Sequence, residues 1–261
     1  MGILNVTPDS FSDGSRYLNP RAALARAHEL VRMGADIIDI GGESTRPGAL
    51  EVPVEEELSR VLPVIRALNG KLGRPISIDT RKAAVARAAL AEGATIVNDV
   101  SAMEFDPAMA ETVARARAAI ILMHMRGTPA TMMRFRRYHD VVDEVCRYLG
   151  ARARAAAKAG IAGSRIVVDP GIGFAKTAHH NLQLLNALPR LRKLGYPVLV
   201  GVSRKSFVRK ISGTAEVEVL FGTAAAVALA IAAGASIVRV HDPQPMRAVA
   251  RMVSALSRSA D

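Results

Sequence analysis

Eight short apolar runs punctuate this chain, and nearly every one ends on, or one step before, a polar side chain. The runs cover 2–6, 37–40, 76–78, 96–97, 120–123, 166–168, 198–202 and 237–240. At or just past their ends stand Asn5, Asp39, Asp79, Asn98, His124, Asp169, Ser203 and His241. Between them lie Ala-, Leu- and Arg-rich stretches at helical spacing. Strand-length runs alternating with helical ones predict a parallel α/β barrel, a single (β/α)8 TIM barrel over 1–261. A length of 261 residues suits one barrel of this kind. Such barrels do their chemistry where the strands end, so the polar residues there are the candidates for function.

Turn chemistry agrees. Gly34, Gly93, Gly195 and Gly234 precede the second, fourth, seventh and eighth runs, where a helix C-terminus calls for a left-handed residue. The two longest strand-to-helix loops, 7–19 and 41–54, are rich in Gly, Ser, Asp and Pro and read as exposed lids.

The net charge of +11 raises a nucleic-acid reading, but the arginines stand singly along helix faces, as at Arg21, Arg26, Arg32, Arg60, Arg66 and Arg87. Apart from a short knot at 134–137 they form no patch, so a solvated surface with no nucleic-acid partner is expected. The segment 219–238 carries no charge, yet Gly222, Thr223, Gly234 and Ser236 interrupt it. A buried helix followed by the eighth strand is predicted there, not a membrane span. A single cysteine, Cys146, allows no internal disulfide, and no signal peptide is visible, so a cytoplasmic protein is expected.

Three groups of residues carry chemistry. Asp79, Asn98 and Asp169 place two carboxylates and an amide at one barrel mouth, a set suited to the N–H edge of a polar heterocycle. Taken singly, each aspartate could instead cap the following helix. Ser203, Arg204, Lys205 and Ser206 follow the seventh run, and Arg239 with His241 closes the eighth. Loops after the seventh and eighth strands are the habitual anion site of such barrels, and Ser206 should open a helix. Asn5, with the Thr45-Arg46-Pro47 turn, offers a hard oxygen that could help hold magnesium beside a diphosphate. Zinc spacing, a nucleophile elbow and a Walker loop are all missing, so no covalent mechanism is suggested.

In order along the chain, MGILNVTPDSFSDG, GGESTRPG, SIDTRK, DPGIGF, VGVSRKSF and IVRVHD resemble the dihydropteroate synthase family. The resemblance implies condensation of 6-hydroxymethyl-7,8-dihydropterin diphosphate with p-aminobenzoate to give 7,8-dihydropteroate and diphosphate. It implies that Asp79, Asn98, Asp169 and Lys205 hold the pterin, with Met123 lining its pocket and Thr45 and Arg46 contributing from the second loop. Arg239 would cover the pterin face and, with His241, Asn5 and Mg2+, take the diphosphate. Ser206 would receive the p-aminobenzoate carboxylate between Phe11, Pro47 and Phe174. The family also implies a homodimer. Three departures stand out: Ser15 and Ala175 replace glycines usual in the family, and the stretch through Val219 lacks a basic residue. The rival readings are a methyltransferase using methyltetrahydrofolate and a catalytically silent pterin-binding barrel. Neither needs the diphosphate set that this sequence retains.

Overall fold

The computed structural model describes residues 1–7 and 20–259. Its strands are β1 (Gly2–Asn5), β2 (Ile38–Gly41), β3 (Ile76–Asp79), β4 (Ile96–Asp99), β5 (Ala119–Met123), β6 (Ile166–Asp169), β7 (Leu199–Val200) and β8 (Ile237–Val238). The helices are α1 (Pro20–Arg32), α2 (Val54–Leu68), α3 (Ala83–Ala91), α4 (Met109–Arg115) and α5 (Val141–Lys158), then α6 (Ala178–Asn186), α7 (Leu188–Arg192), α8 (Ser206–Ser212), α9 (Glu216–Ala232) and α10 (Pro243–Arg258). The predicted alternation is therefore the observed one. The seventh and eighth runs contribute shorter ladders than their apolar lengths suggested.

Strands β1 to β6 form one parallel sheet in chain order, and β7 pairs with β8. Single parallel bridges join the two pieces, Val168 to Val198 on one side and Gly2 to Val240 on the other. At the second bridge Ile3 N donates to Val240 O and Val240 N donates to Met1 O, both at 3.0 Å. The ring of strands is thus continuous from β8 back to β1.

Side chains alternate along a strand with a period of two, and this decides where the chemistry sits. Ile37, Ile96, Ile121, Val167, Leu199 and Ile237 pack with Met1 inside the barrel. Two residues further along the same strands lie Asp39, Asn98, Met123, Asp169, Gly201 and Arg239. One parity therefore builds both an apolar layer and, above it, a polar layer at the C-terminal mouth. The opposite parity, including Leu4, Ile38, Ile40, Ile78, Val97, Ile120 and Val168, packs outward against the helices in the main core.

Helix ends are set locally. The Asp140 carboxylate accepts from Val142 N and Asp143 N to start α5, and Thr177 with His180 forms a capping box on α6. The uncharged segment 219–238 divides into α9, a turn at Gly234 and β8, but α9 is not the buried helix expected. Only Val219, Thr223, Val227 and Ala230 are buried, on one face, because the other face of a barrel's outer helix points away from the strands. Among the described residues no single helix is long and apolar enough to cross a membrane. Ala175, where the family resemblance implies glycine, is buried at φ 50°. That conformation costs an alanine about 1 kcal/mol, which burial of its methyl offsets by a similar amount.

Candidate active site

Asp79 ends β3, Asn98 lies in β4 and Asp169 ends β6, all buried, so three strands deliver these groups to one mouth. None of them caps a helix: Lys82 precedes α3 without a side-chain cap, and α6 is capped by Thr177. Asp169 instead accepts Gly171 N at 2.7 Å, which shapes the loop after β6.

The centre of the mouth is Arg239. Its Nε donates to Asp39 Oδ2 at 2.6 Å and its Nη2 to Asp79 Oδ2 at 2.7 Å. Asn98 Nδ2 donates to the same Asp39 oxygen at 3.1 Å. Asp39 is fully buried and was not among the residues assigned a role from sequence. Its signal was present, because a carboxylate inside Ile-Asp-Ile on a strand needs a partner. One guanidinium thus faces two carboxylates. Burial pushes Asp79 up to about 8, opposed by Arg239 and reinforced by Asp39. Asp79 Oδ1 and Asp39 Oδ1 are buried with no hydrogen-bond partner. Such orphaned acceptors are rare in a folded chain, and the two at the mouth are free to take donors from a ligand.

Lys205 closes the other side. Its ammonium lies 4.5 Å from the centre of the Phe174 ring and donates to Ile172 O. Burial brings it down to about 8 against the pull of Asp169, whose carboxyl burial in turn raises. Ser206 is the first residue of α8, as expected. Met123 belongs to a small apolar cluster with Val100, Met125, Met132, Ala175 and Phe174.

At the rim, His241 N and Nδ1 meet Ser203 Oγ at 3.2 and 3.0 Å. Burial, aided by Arg239 and Arg204, lowers the imidazole to about 4, so it is neutral at pH 7. Arg46 also contributes to this shift, which places positive charge from the second loop beside His241. Thr45 is half-buried in that loop, while Arg46 and Pro47 are exposed. Phe11, like Ser15, lies outside the described residues. Asn5 ends β1, half-exposed, and contributes one oxygen donor of the hard type magnesium takes. No group of three His, Cys, Asp or Glu able to hold a metal occurs among the described residues.

Two further arrangements were not foreseen. Lys176, fully enclosed, directs its ammonium at His124 Nδ1, His124 O and Phe174 O, at 2.9, 3.3 and 2.9 Å. Three N–H groups meet three acceptors, which ties the end of β5 to the loop carrying Phe174. A separate cavity of about 840 Å³ opens between the loops after β4 and β5, lined by Arg81, Phe105, His124, Arg126 and Tyr148 among others. It contains none of the mouth residues Asp79, Asn98, Asp169, Lys205 or Arg239.

The sequence matches the family described as "Pterin binding enzyme" over residues 1–241. It is 49% identical over 259 residues to a dihydropteroate synthase of Synechocystis sp., covering 99% of this chain and 90% of that one. Among solved structures, Xanthomonas albilineans dihydropteroate synthase with 4-aminobenzoic acid superimposes with a TM-score of 0.92 at 46% identity, over 98% of this chain and 92% of that one. The same enzyme in complex with 7,8-dihydropteroate gives a TM-score of 0.88 at 44% identity over the same shares. The buried acids at the strand ends, the barrel that holds them and these similarities agree: the chain belongs to the pterin-binding enzyme family.

Proposed function

We infer that this protein catalyses the dihydropteroate synthase reaction, joining the exocyclic carbon of 6-hydroxymethyl-7,8-dihydropterin diphosphate to the nitrogen of p-aminobenzoate. The orphaned Oδ1 of Asp79, buried at the barrel mouth beside Arg239 and Asp39, carries the reading. A carboxylate there is matched to the paired N–H donors of a pterin edge, with Asn98, Asp169, Lys205 and Met123 completing the pocket.

In the reaction a C–O bond to diphosphate breaks, a C–N bond forms, and the aniline nitrogen gives up a proton. The floor gathers the carboxyl groups of Asp39, Asp79 and Asp169 around Arg239 and Lys205. Their oxygens face the place where positive charge develops on the pterin as its leaving group departs. The rim has the opposite sign, with the cations Arg46 and Arg204, and receives the diphosphate, to which the neutral His241 offers a hydrogen bond. Ser206 at the start of α8, with Pro47, Phe174 and Phe11, would seat p-aminobenzoate. Holding the amine in line matters more here than removing its proton. Asn5 is the residue that would share Mg2+ with the diphosphate, and the ion's contribution is to neutralise the leaving group.

A homodimer is proposed on separate grounds. Phe221 and Leu229 on α9 and Met252 and Leu256 on α10 are all more than half exposed, too much apolar surface on two neighbouring helices for a lone barrel. The half-buried, unpaired Cys146 fits a cytoplasmic setting.

The deciding experiment is product formation from the two substrates with and without magnesium, on protein whose mass is measured by sedimentation. Magnesium-dependent dihydropteroate from a particle of twice 27.7 kDa is expected. Tight pterin binding without product would favour the methyltransferase or silent-barrel reading, and no pterin binding would overturn the pocket itself.

The paired titrations near pH 8 make a second expectation. Lys205 is charged below about 8, so its hold on the pterin weakens as pH rises from 7 to 9. Asp79 ionises over the same range and strengthens acceptance of the N–H edge, the opposite sign. Calorimetric titration of Lys205→Arg, which stays charged, should therefore show pterin affinity rising with pH. A wild-type-like profile in that variant would remove Lys205 from the pocket.

A further inference from the structure

Two residues beyond Asp79, Arg81 is buried and turns toward the loop between β2 and α2. Its Nε donates to Glu43 Oε1 and its Nη2 to Glu51 Oε2, each at 3.1 Å. Glu43 stands at the start of that loop and Glu51 near its end, so one guanidinium grips both. The Phe105 ring lies beneath it, 4.0 Å from the guanidinium carbon. Glu43 has further partners: its other oxygen accepts Val52 N at 2.9 Å and Lys82 Nζ at 2.5 Å, and Lys82 also reaches the buried Glu57 at 2.6 Å. Burial works against ionising Glu43, yet these donors hold its carboxyl below the ordinary range. The tip of the loop is tied separately, Gly48 N to Pro129 O at 3.0 Å. Between the two gripped glutamates lie Thr45, Arg46 and Pro47.

We propose that Arg81 is a positioning residue, a clasp that holds the 42–53 loop over the mouth and so sets the affinity for the second substrate, p-aminobenzoate. The inference rests on the reaction proposed above. The clasp has a fixed half and a releasable half. Glu43 stays anchored by Lys82 and Val52 N, whereas the Glu51 side chain is 54% exposed and can leave without burying an unpaired charge. Only a planar fork reaches both carboxylates together, so lysine does not substitute.

The test compares wild type, Arg81→Met, Arg81→Lys and Glu51→Gln. Glu51→Gln alters an exposed group and keeps the fold, which guards against a variant that fails to fold. Hydrogen exchange at residues 44–50 of the ligand-free protein is expected to quicken about tenfold in Arg81→Met and about threefold in Glu51→Gln. The KM for p-aminobenzoate should rise by about the same factors, while the KM for the pterin diphosphate stays within about twofold. Arg81→Lys should resemble Arg81→Met despite keeping its charge. Unchanged exchange and KM in Arg81→Met and Glu51→Gln, in an active wild type, would overturn the clasp. So would an equal rise in both KM values accompanied by a lower melting temperature, the mark of a merely structural role. If the wild type makes no dihydropteroate, the proposed reaction fails, and hydrogen exchange alone decides whether Arg81 holds the loop.

Discussion

Replacing Arg239 by Met is expected to abolish activity and to destabilise the fold at neutral pH. Among the described residues, the guanidinium is the only side-chain donor that meets both Asp39 and Asp79. Without it two buried carboxylates face each other, with only Asn98 donating to one of them. Breaking a buried ion pair from one side costs about 3–5 kcal/mol, because the remaining charge is left uncompensated. The sign of the pH dependence identifies the cause. In the variant the Asp79 carboxyl, raised by burial and no longer opposed by the guanidinium, lies above its unfolded value, so the folded form binds more protons, and stability increases as pH falls. Urea midpoints of Arg239→Met should therefore rise from pH 8 to pH 5. Turnover should drop by a factor of about 10² to 10³ or more, because the same guanidinium is expected to help take the diphosphate, on which negative charge develops as it leaves. A variant as stable as wild type at pH 8 would mean that the acids are neutralised some other way.

Gly171→Ala should produce the second large loss, for a steric reason. Gly171 stands at φ 66°, and a Cβ built there would lie 2.0 Å from His124 O. The obstacle is backbone, held by Lys176 on one side, so it cannot rotate away. Left-handed strain of about 1 kcal/mol adds to an overlap costing about 1–3 kcal/mol, for a total near 2–4 kcal/mol. For a chain of this length that is a fall in melting temperature of roughly 5–15 °C. Gly195→Ala is the control, since Gly195 has φ 84° but nothing within 4 Å of its built Cβ. It should show the strain alone. The larger loss has a functional counterpart: Gly171 N donates to Asp169, and the next residues carry the Ile172 carbonyl that takes Lys205 and the ring of Phe174. Pterin binding should fall in Gly171→Ala and survive in Gly195→Ala, as measured by calorimetry on each folded variant. Equal melting temperatures for the two would show that the loop yields and that the close approach is not binding on the fold.

Asp79, Asn98 and Asp169 were legible because each follows an apolar run by a residue or less, and strand ends in a parallel barrel share one face. Ser206 was legible because a Ser after a basic turn and before an amphipathic stretch opens a helix. Asp39 was visible at a strand end but received no role, since nothing local says which cation it meets. Nothing local in the sequence marks Arg81, in SIDTRK, or Lys176 as buried, yet both are. Long cationic side chains conceal their fate in sequence, because burial depends on carboxylates or carbonyls delivered by other loops.

The order of strands and helices, and the parity that aims one layer of polar residues into the mouth, follow from the chain alone. Both are short-range properties: a strand alternates every residue, and a helix ends where its cap or glycine stands. The pairing of charges is different in kind. Arg239 meets Asp39 across 200 positions, and it can do so only because β8 closes against β1. The Arg81 grip on Glu43 and Glu51, and the unpartnered oxygen of Asp79, likewise exist only once the loops of several strands share one rim. Local sequence selects which groups reach the mouth, while tertiary closure decides which of them neutralise one another and which are left for a ligand. Electrostatic partnership is a property of distance in space, and neighbours along the chain carry no record of it.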